Sequence, residues 1–180
     1  MKKLIIVFIL ISLKCTGQKT TQEDWRLSTE KSYISYEGRH ILHEWSGITK
    51  KIKGVLIMKN NEPLKTAIIS KVRDFDSGNS SRDSHALEIL ESLLFPDVSF
   101  FGDSISVNDK TFNISGKLKF HSIEKRINVS GLWNATNEEI LLKGKFEIKP
   151  SDFEIDLPDF MLVKMENKLD IDYEIVFAKK

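Results

Sequence analysis

The chain reads as an all-β protein, an antiparallel up-and-down β-barrel of about eight strands with one short α-helix. Three observations predict this. Apolar residues recur with a period of two through most of the chain after Ser32. Turn-forming clusters interrupt that alternation at short, even intervals. One segment alone, within residues 80–95, changes to helical spacing. Strict alternation marks strands with one buried and one solvated face, and long strands joined by short turns favour a barrel over a sandwich.

The first residues stand apart from that pattern. Lys2 and Lys3 lead into an apolar run over residues 4–13, broken only by Ser12, and Cys15, Thr16 and Gly17 supply small residues before Gln18. This is the pattern of a secretory signal peptide covering residues 1–17. The run is about half the roughly 20 residues that a membrane-spanning helix needs. A lipid on Cys15 is the alternative, and Lys14 stands where such an anchor signal wants a small residue. Residues 18–180 then form one domain, expected in the periplasm or outside the cell. Removing Lys2, Lys3 and Lys14 takes the formal net charge from +1 to −2. A mildly acidic, mixed-sign surface argues against nucleic acid as a partner. Cys15 is the only cysteine, so the mature domain is expected to hold neither disulfides nor thiolate metal sites.

Within the domain, residues 111–120 alternate fully, with Phe112, Ile114, Gly116, Leu118 and Phe120 on one face. Residues 140–148 and 169–177 repeat the pattern with Leu142, Phe146, Ile171, Tyr173 and Ile175 inward. Shorter strands are expected over 32–36, 54–59, 66–72, 98–101 and 128–134, with Val129 inward on the last. Turns are expected at Asn60-Asn61, Gly102-Asp103, Asn108-Asp109, Asn134 and Lys149-Pro150. The helix is read from Ala86, Leu87, Leu90, Leu93 and Leu94 on one face, with Ser80 or Ser81 as cap and Phe95-Pro96 as stop. A barrel of this strand number is either filled by side chains or holds one small ligand. Gly116, Gly131 and Gly144 on the inward faces suggest room for one.

The run Asp76-Ser77-Gly78-Asn79-x-x-Arg82-Asp83-x-His85-x-Leu87, followed by Phe95-Pro96-x-Val98-x-Phe100, resembles the YceI-like family. Ser35-Tyr36 leading to His40-x-Leu42-His43-x-Trp45-x-Gly47 and Gly54 is similar to that family's first hairpin. Gly116-x-Leu118-x-Phe120-His121 and Ser151-Asp152-Phe153-x-Ile155 with Pro158 extend the match over nearly the whole mature chain, in order. The resemblance implies a lipocalin-like barrel that carries a polyisoprenoid or quinone-type lipid in an apolar tunnel, and a family not known as enzymes. The pairing of His40 and His43 with Trp45 departs from the family's commonest pattern, which bears on the ligand more than on the fold.

Candidate ligand-binding residues fall in two sets. The polar set is His40, His43 and Trp45 on the first hairpin with Asn79, Arg82 and His85 on the central loop. Arg82 suits an anionic lipid head because its planar fork donates in pairs. The competing structural reading has Gly78 permitting a tight turn, Asn79 bonding backbone, and Arg82 pairing with Asp76 or Asp83. The apolar set is Phe112, Ile114, Leu118, Phe120, Phe146 and Tyr173, with an ordinary packed core as the competing reading. Calcium fails on spacing, because counting from Asp74 the positions that need Gly and an acid hold Asn79 and His85. His40 and His43, three apart in an extended strand, are expected to face opposite sides, which disfavours a metal. No Gly-x-Ser-x-Gly elbow is present. The expected function is therefore a secreted or periplasmic lipid-binding protein without catalytic residues, metal or cofactor, its partner an apolar lipid. The alternatives are a secreted hydrolase or isomerase using a histidine as acid or base, and a ligandless structural barrel of the envelope. Homodimerisation through an unclosed strand edge is left open.

Overall fold

The computed structural model describes residues 21–160 and 163–179. The leader expected over residues 1–17, with Cys15, lies outside the described residues. Among the described residues there are twelve strands: β1 Gln22–Leu27, β2 Tyr33–His40, β3 His43–Thr49, β4 Ile52–Lys59, β5 Glu62–Lys71, β6 Asp97–Asn108, β7 Thr111–Phe120, β8 Ile123–Ala135, β9 Glu139–Ile148, β10 Asp159–Phe160, β11 Val163–Lys164 and β12 Leu169–Lys179. One α-helix, α1, covers Ser80–Ile89.

All barrel pairings are antiparallel between neighbours in the chain, from β4–β5 through β8–β9 to β9–β12. β12 closes the ring by pairing on its other side with β2, where Tyr173 faces Ile34, and with β1, where Phe177 faces Leu27. β1 and β2 act as one interrupted strand, as do β3 and β4, because β1 pairs with β4 and β2 with β3. Eight strand positions thus close an up-and-down barrel, as the alternation predicts. Closure removes the exposed sheet edges that an open sheet would carry.

The interruption after β1 has a clear cause. A 3-10 turn over Thr29–Lys31 lifts the chain away from the ladder. Ser32, 2% exposed, accepts from the Val176 backbone N–H at 3.0 Å, and Ser28 N–H donates to the Val176 carbonyl. The turn therefore covers the outer face of β12, and Val176 is buried although alternation places it outside.

The barrel's two ends differ. At one end lie the short turns β4–β5, β6–β7 and β8–β9; at the other lie the β2–β3 and β7–β8 turns, the 72–96 segment bearing α1, and the 149–168 connection. The first end is filled: Trp25, Met58, Trp133 and Ile140 pack there in one cluster with Phe177. Near the other end Leu118, Phe120, Ile148, Phe153, Ile155 and Ile171 form a second cluster, against which Leu87 of α1 and Leu90, its C-cap, pack.

α1 departs from its sequence-based reading at both ends. Asn79, not Ser80 or Ser81, is the cap: its side-chain oxygen accepts from Arg82 N–H at 3.1 Å. The helix stops six residues before Phe95-Pro96, because Glu91 turns left-handed at φ 43°. Ser92 N–H then reaches the Leu87 carbonyl and Glu91 N–H that of Glu88, a Schellman closure built on Glu instead of the usual Gly. Leu93 and Leu94, read as part of the buried stripe, are consequently 98% and 70% exposed.

Candidate functional site

Inside the barrel a cavity of about 310 Å3 runs from beneath α1 between the inner strand faces. Its deep walls come from alternating positions of consecutive strands: Phe112, Ile114 and Leu118 of β7, Val129 of β8, Leu142 and Phe146 of β9, and Ile171, Tyr173 and Ile175 of β12. Trp25, Met58, Trp133 and Ile140 lie beyond it and fill the far end. The size is at the lower edge of the range for small-molecule pockets.

Several hydroxyls line this space, yet they are directed at backbone. Thr66 donates to the Val55 carbonyl at 3.0 Å and Ser70 to the Lys51 carbonyl at 3.2 Å. Tyr173 donates to the Ser130 carbonyl at 3.1 Å. Burial, then the Asp172 charge, raises the Tyr173 phenol well above its ordinary value, so it stays neutral. The wall therefore presents mainly carbon to an occupant, which is the surface that gains from apolar contact.

The mouth is polar and lies under α1. Arg82, Asp83 and His85 from the helix, with Tyr36 and Trp45 from the first hairpin, join the lining there. The His85 side chain is 65% exposed, which marks this as the end that reaches solvent. The sequence sets the geometry locally. Gly78 adopts φ 72°, its N–H bonds the Asp76 carboxylate at 2.7 Å, and the Asp83 carboxylate takes the Ser77 N–H at 3.2 Å. Asp76 also pairs through its backbone with Ile48 of β3, tying the loop to the first hairpin. Both acidic groups thus hold backbone, and the expected pairing of Arg82 with Asp76 or Asp83 does not form. Among the described residues no carboxylate stands within ion-pair distance of the Arg82 guanidinium. Burial raises the Tyr36 phenol, the Asp83 charge adds to this, and Arg82 opposes it.

Of the residues singled out from the sequence, Trp45, Arg82, His85, Phe112, Ile114, Leu118, Phe120, Phe146 and Tyr173 line the cavity. His40, His43 and Asn79 do not. Asn79 is committed to capping α1. His40 and His43 correct the expectation that they face apart. They occupy paired positions across a two-residue turn, so their rings meet at 5.6 Å, and His43 meets Trp45 at the same distance. His40 is buried, with Leu42 N–H donating to its Nδ1 at 3.3 Å. Among the described residues no three His, Cys, Asp or Glu side chains gather to hold a metal.

The glycines need a different account from the one alternation suggests. A Cβ on Gly144 would lie 2.5 Å from both the Ser130 carbonyl oxygen and the Tyr173 hydroxyl; one on Gly116 would lie 2.7 Å from the Phe100 ring. The space they release is occupied by aromatic rings and neighbouring backbone, and the cavity lies elsewhere along the faces.

His121 is a residue that sequence reasoning assigned only to a strand. Left-handed backbone at His121 and Ser122 (φ 47° and 66°) makes the β7–β8 turn. The ring bonds the Phe153 carbonyl through Nδ1 and the Glu91 carboxylate through Nε2, both at 3.0 Å, and meets the Phe95 ring edge-on at 4.7 Å. It joins three segments that surround the mouth.

An eight-stranded antiparallel barrel, filled at one end and enclosing an apolar cavity under a helix at the other, defines a lipocalin-like architecture. The sequence itself matches the YceI-like domain over residues 25–177, and the chain belongs to that family. It is 21% identical to Protein YceI of Salmonella newport over 172 residues, covering 87% of this chain and 90% of that one. The crystal structure of Burkholderia cenocepacia BcnA superposes with a TM-score of 0.74 at 16% identity, covering 83% of this chain and 98% of BcnA. A polyisoprenoid-binding domain from Saccharophagus degradans, implicated in plant cell wall breakdown, gives 0.69 at 9% identity, covering 87% and 98%. The Campylobacter jejuni YCEI protein gives 0.59 at 15% identity, covering 100% and 99%.

Proposed function

We propose that this protein is a binding protein for a long apolar lipid of the isoprenoid class, held tail-inward with its polar end at Tyr36, Arg82 and His85. The observation that carries this reading is the carbon-walled cavity, whose lining hydroxyls of Thr66, Ser70 and Tyr173 are engaged with backbone. Burying an apolar tail contributes about 0.8 kcal/mol for each CH2 removed from water. The polar mouth would orient the head and supply less of the affinity. The Saccharophagus degradans relative, by its description a polyisoprenoid-binding domain, supports the same ligand class.

The leader pattern over residues 1–17 supports a carrier that works in the periplasm or outside the cell. A histidine acid or base finds no support in the geometry. Among the described residues His85 is the one histidine in the cavity lining, and its Nδ1 faces the exposed Glu88 carboxylate at 3.8 Å.

The test is solvent extraction of protein purified from a bacterial host, followed by mass spectrometry of the extract. The expected result is an isoprenoid-chain lipid near one per protein. Protein that is empty from the host and takes up no isoprenoid in vitro defeats the reading.

A further inference from the structure

The two ends of the barrel differ in surface chemistry as well as packing. At the filled end the turns read Lys59-Asn60-Asn61-Glu62, Asn108-Asp109-Lys110-Thr111 and Thr136-Asn137-Glu138-Glu139, without one apolar side chain. At the mouth end the β2–β3 turn is Ile41-Leu42, and the segment leaving α1 carries Leu93-Leu94. Leu93 is 98% exposed, Ile41 77%, Leu94 70% and Leu42 62%, the four most exposed large apolar side chains among the described residues. Both tips continue directly into the cavity lining, the first through Tyr36 and Trp45, the second through Leu87 and Leu90.

We propose that the mouth end docks on a lipid bilayer, with Ile41, Leu42, Leu93 and Leu94 entering the boundary between headgroups and acyl chains. The cavity then faces the membrane, and an apolar lipid passes between the two without crossing water. The purpose of the docking rests on the carrier reading above. Area decides the occupant. Four aliphatic side chains on two separate tips fall short of the roughly 800 Å2 per partner that a stable protein interface buries. A bilayer needs no complementary surface and accepts apolar groups about 5–10 Å deep. The attraction is apolar rather than ionic: His40 and His43 flank one tip and Glu91 and Ser92 the other, and nearby Arg39 pairs with Glu44 at 3.1 Å. Docking should therefore persist in high salt.

The test uses the full chain as processed by its host, with vesicles of phosphatidylcholine and phosphatidylethanolamine. A polarity-sensitive dye on Leu93→Cys should shift to the blue when vesicles are added, in low and high salt alike; the same dye on Asn137→Cys, at the filled end, should not. This comparison reads which end is immersed whatever the N-terminus does. Combining Ile41→Ser, Leu42→Ser and Leu94→Ser should weaken vesicle binding, read by the Leu93→Cys dye, by at least about tenfold, with the lipid recovered by extraction unchanged. No shift at residue 93, an equal shift at residue 137, or a vesicle-free dimer that the serine substitutions dissolve would overturn the proposal. Docking by a protein whose cavity proves empty sinks the carrier reading alone. A loaded protein that ignores vesicles sinks the docking alone.

Discussion

A methyl group on Gly144 would have to share space with the Ser130 carbonyl and the Tyr173 hydroxyl, each 2.5 Å from its position. Those two atoms are bonded to each other, and the Tyr173 ring lies directly across the ladder from Gly144. The missing side chain lets a tyrosine lie over β9 and bring its hydroxyl to a carbonyl inside an apolar barrel. Gly144→Ala is expected to cost about 1–3 kcal/mol, because backbone must shift to relieve the overlap; urea unfolding measures this, and an unchanged midpoint refutes the account. At this scale the sequence was legible for direction and less so for contact. Alternation placed Phe112, Ile114, Leu118 and Tyr173 inward correctly. It could not show that inward glycines are covered by Tyr173 or Phe100, since the covering ring belongs to a neighbouring strand. His40 and His43 misled for the same reason: a two-residue turn brings them onto facing strands, and spacing within one strand does not reveal it.

The elements themselves were read unevenly. β7 has the limits that its alternation predicts, and β9 and β12 differ by one or two residues. β1 went unread, because six residues with Trp25 as their one buried side chain give no periodic signal. α1 ends early because Glu91 adopts the left-handed conformation that a sequence reader looks for at Gly. What holds this segment in place is His121, on a turn between two strands. Its ring, with a 10% exposed side chain, bridges Glu91, Phe95 and Phe153. Its two ring nitrogens each face an acceptor, the Phe153 carbonyl and the Glu91 carboxylate. His121→Ala should release the α1 segment and the 3-10 turn Pro150–Phe153 together, because both are tied to the one ring. Hydrogen exchange is the measurement: amides of residues 82–90 and 152–155 should lose protection while those of β7 and β8 keep theirs. Unchanged exchange in both segments shows that apolar packing of Leu87 and Leu90 suffices without the histidine.

For the molecule as a whole, a closed barrel follows from the even run of alternating strands, whereas a cavity within it does not. Period two says which residues point inward, and Trp133 and Leu142 both do so; one belongs to the filled end and the other to the cavity wall. That division depends on where large rings cross the barrel, a property of eight strands together. Closure also depends on a seam that no single strand displays. β12 holds β9 on one side and β1 and β2 on the other. On its outer face Asp172 accepts from the Tyr33 hydroxyl of β2 at 3.0 Å and pairs with Lys145 of β9 at 2.8 Å. Burial pushes the Asp172 carboxyl up, but Lys145, Tyr33 and Lys143 outweigh this and hold it below its ordinary value of 3.8. A depressed carboxylate stabilises the fold at pH above its unfolded value, and that contribution is lost as pH falls through the lower folded value. The window therefore opens below about pH 4, and the seam weakens on acidification and not on moderate alkalinisation. The Asp172 side chain is 27% exposed and Lys145 81%, so screening keeps the effect near 1 kcal/mol. Asp172→Asn should lower the unfolding free energy measured in urea at about pH 7 by that amount, and the difference from the unmodified protein should shrink progressively as pH falls below about 4. Parallel loss of stability in the two proteins across this range would place the acid sensitivity elsewhere than the β12 seam.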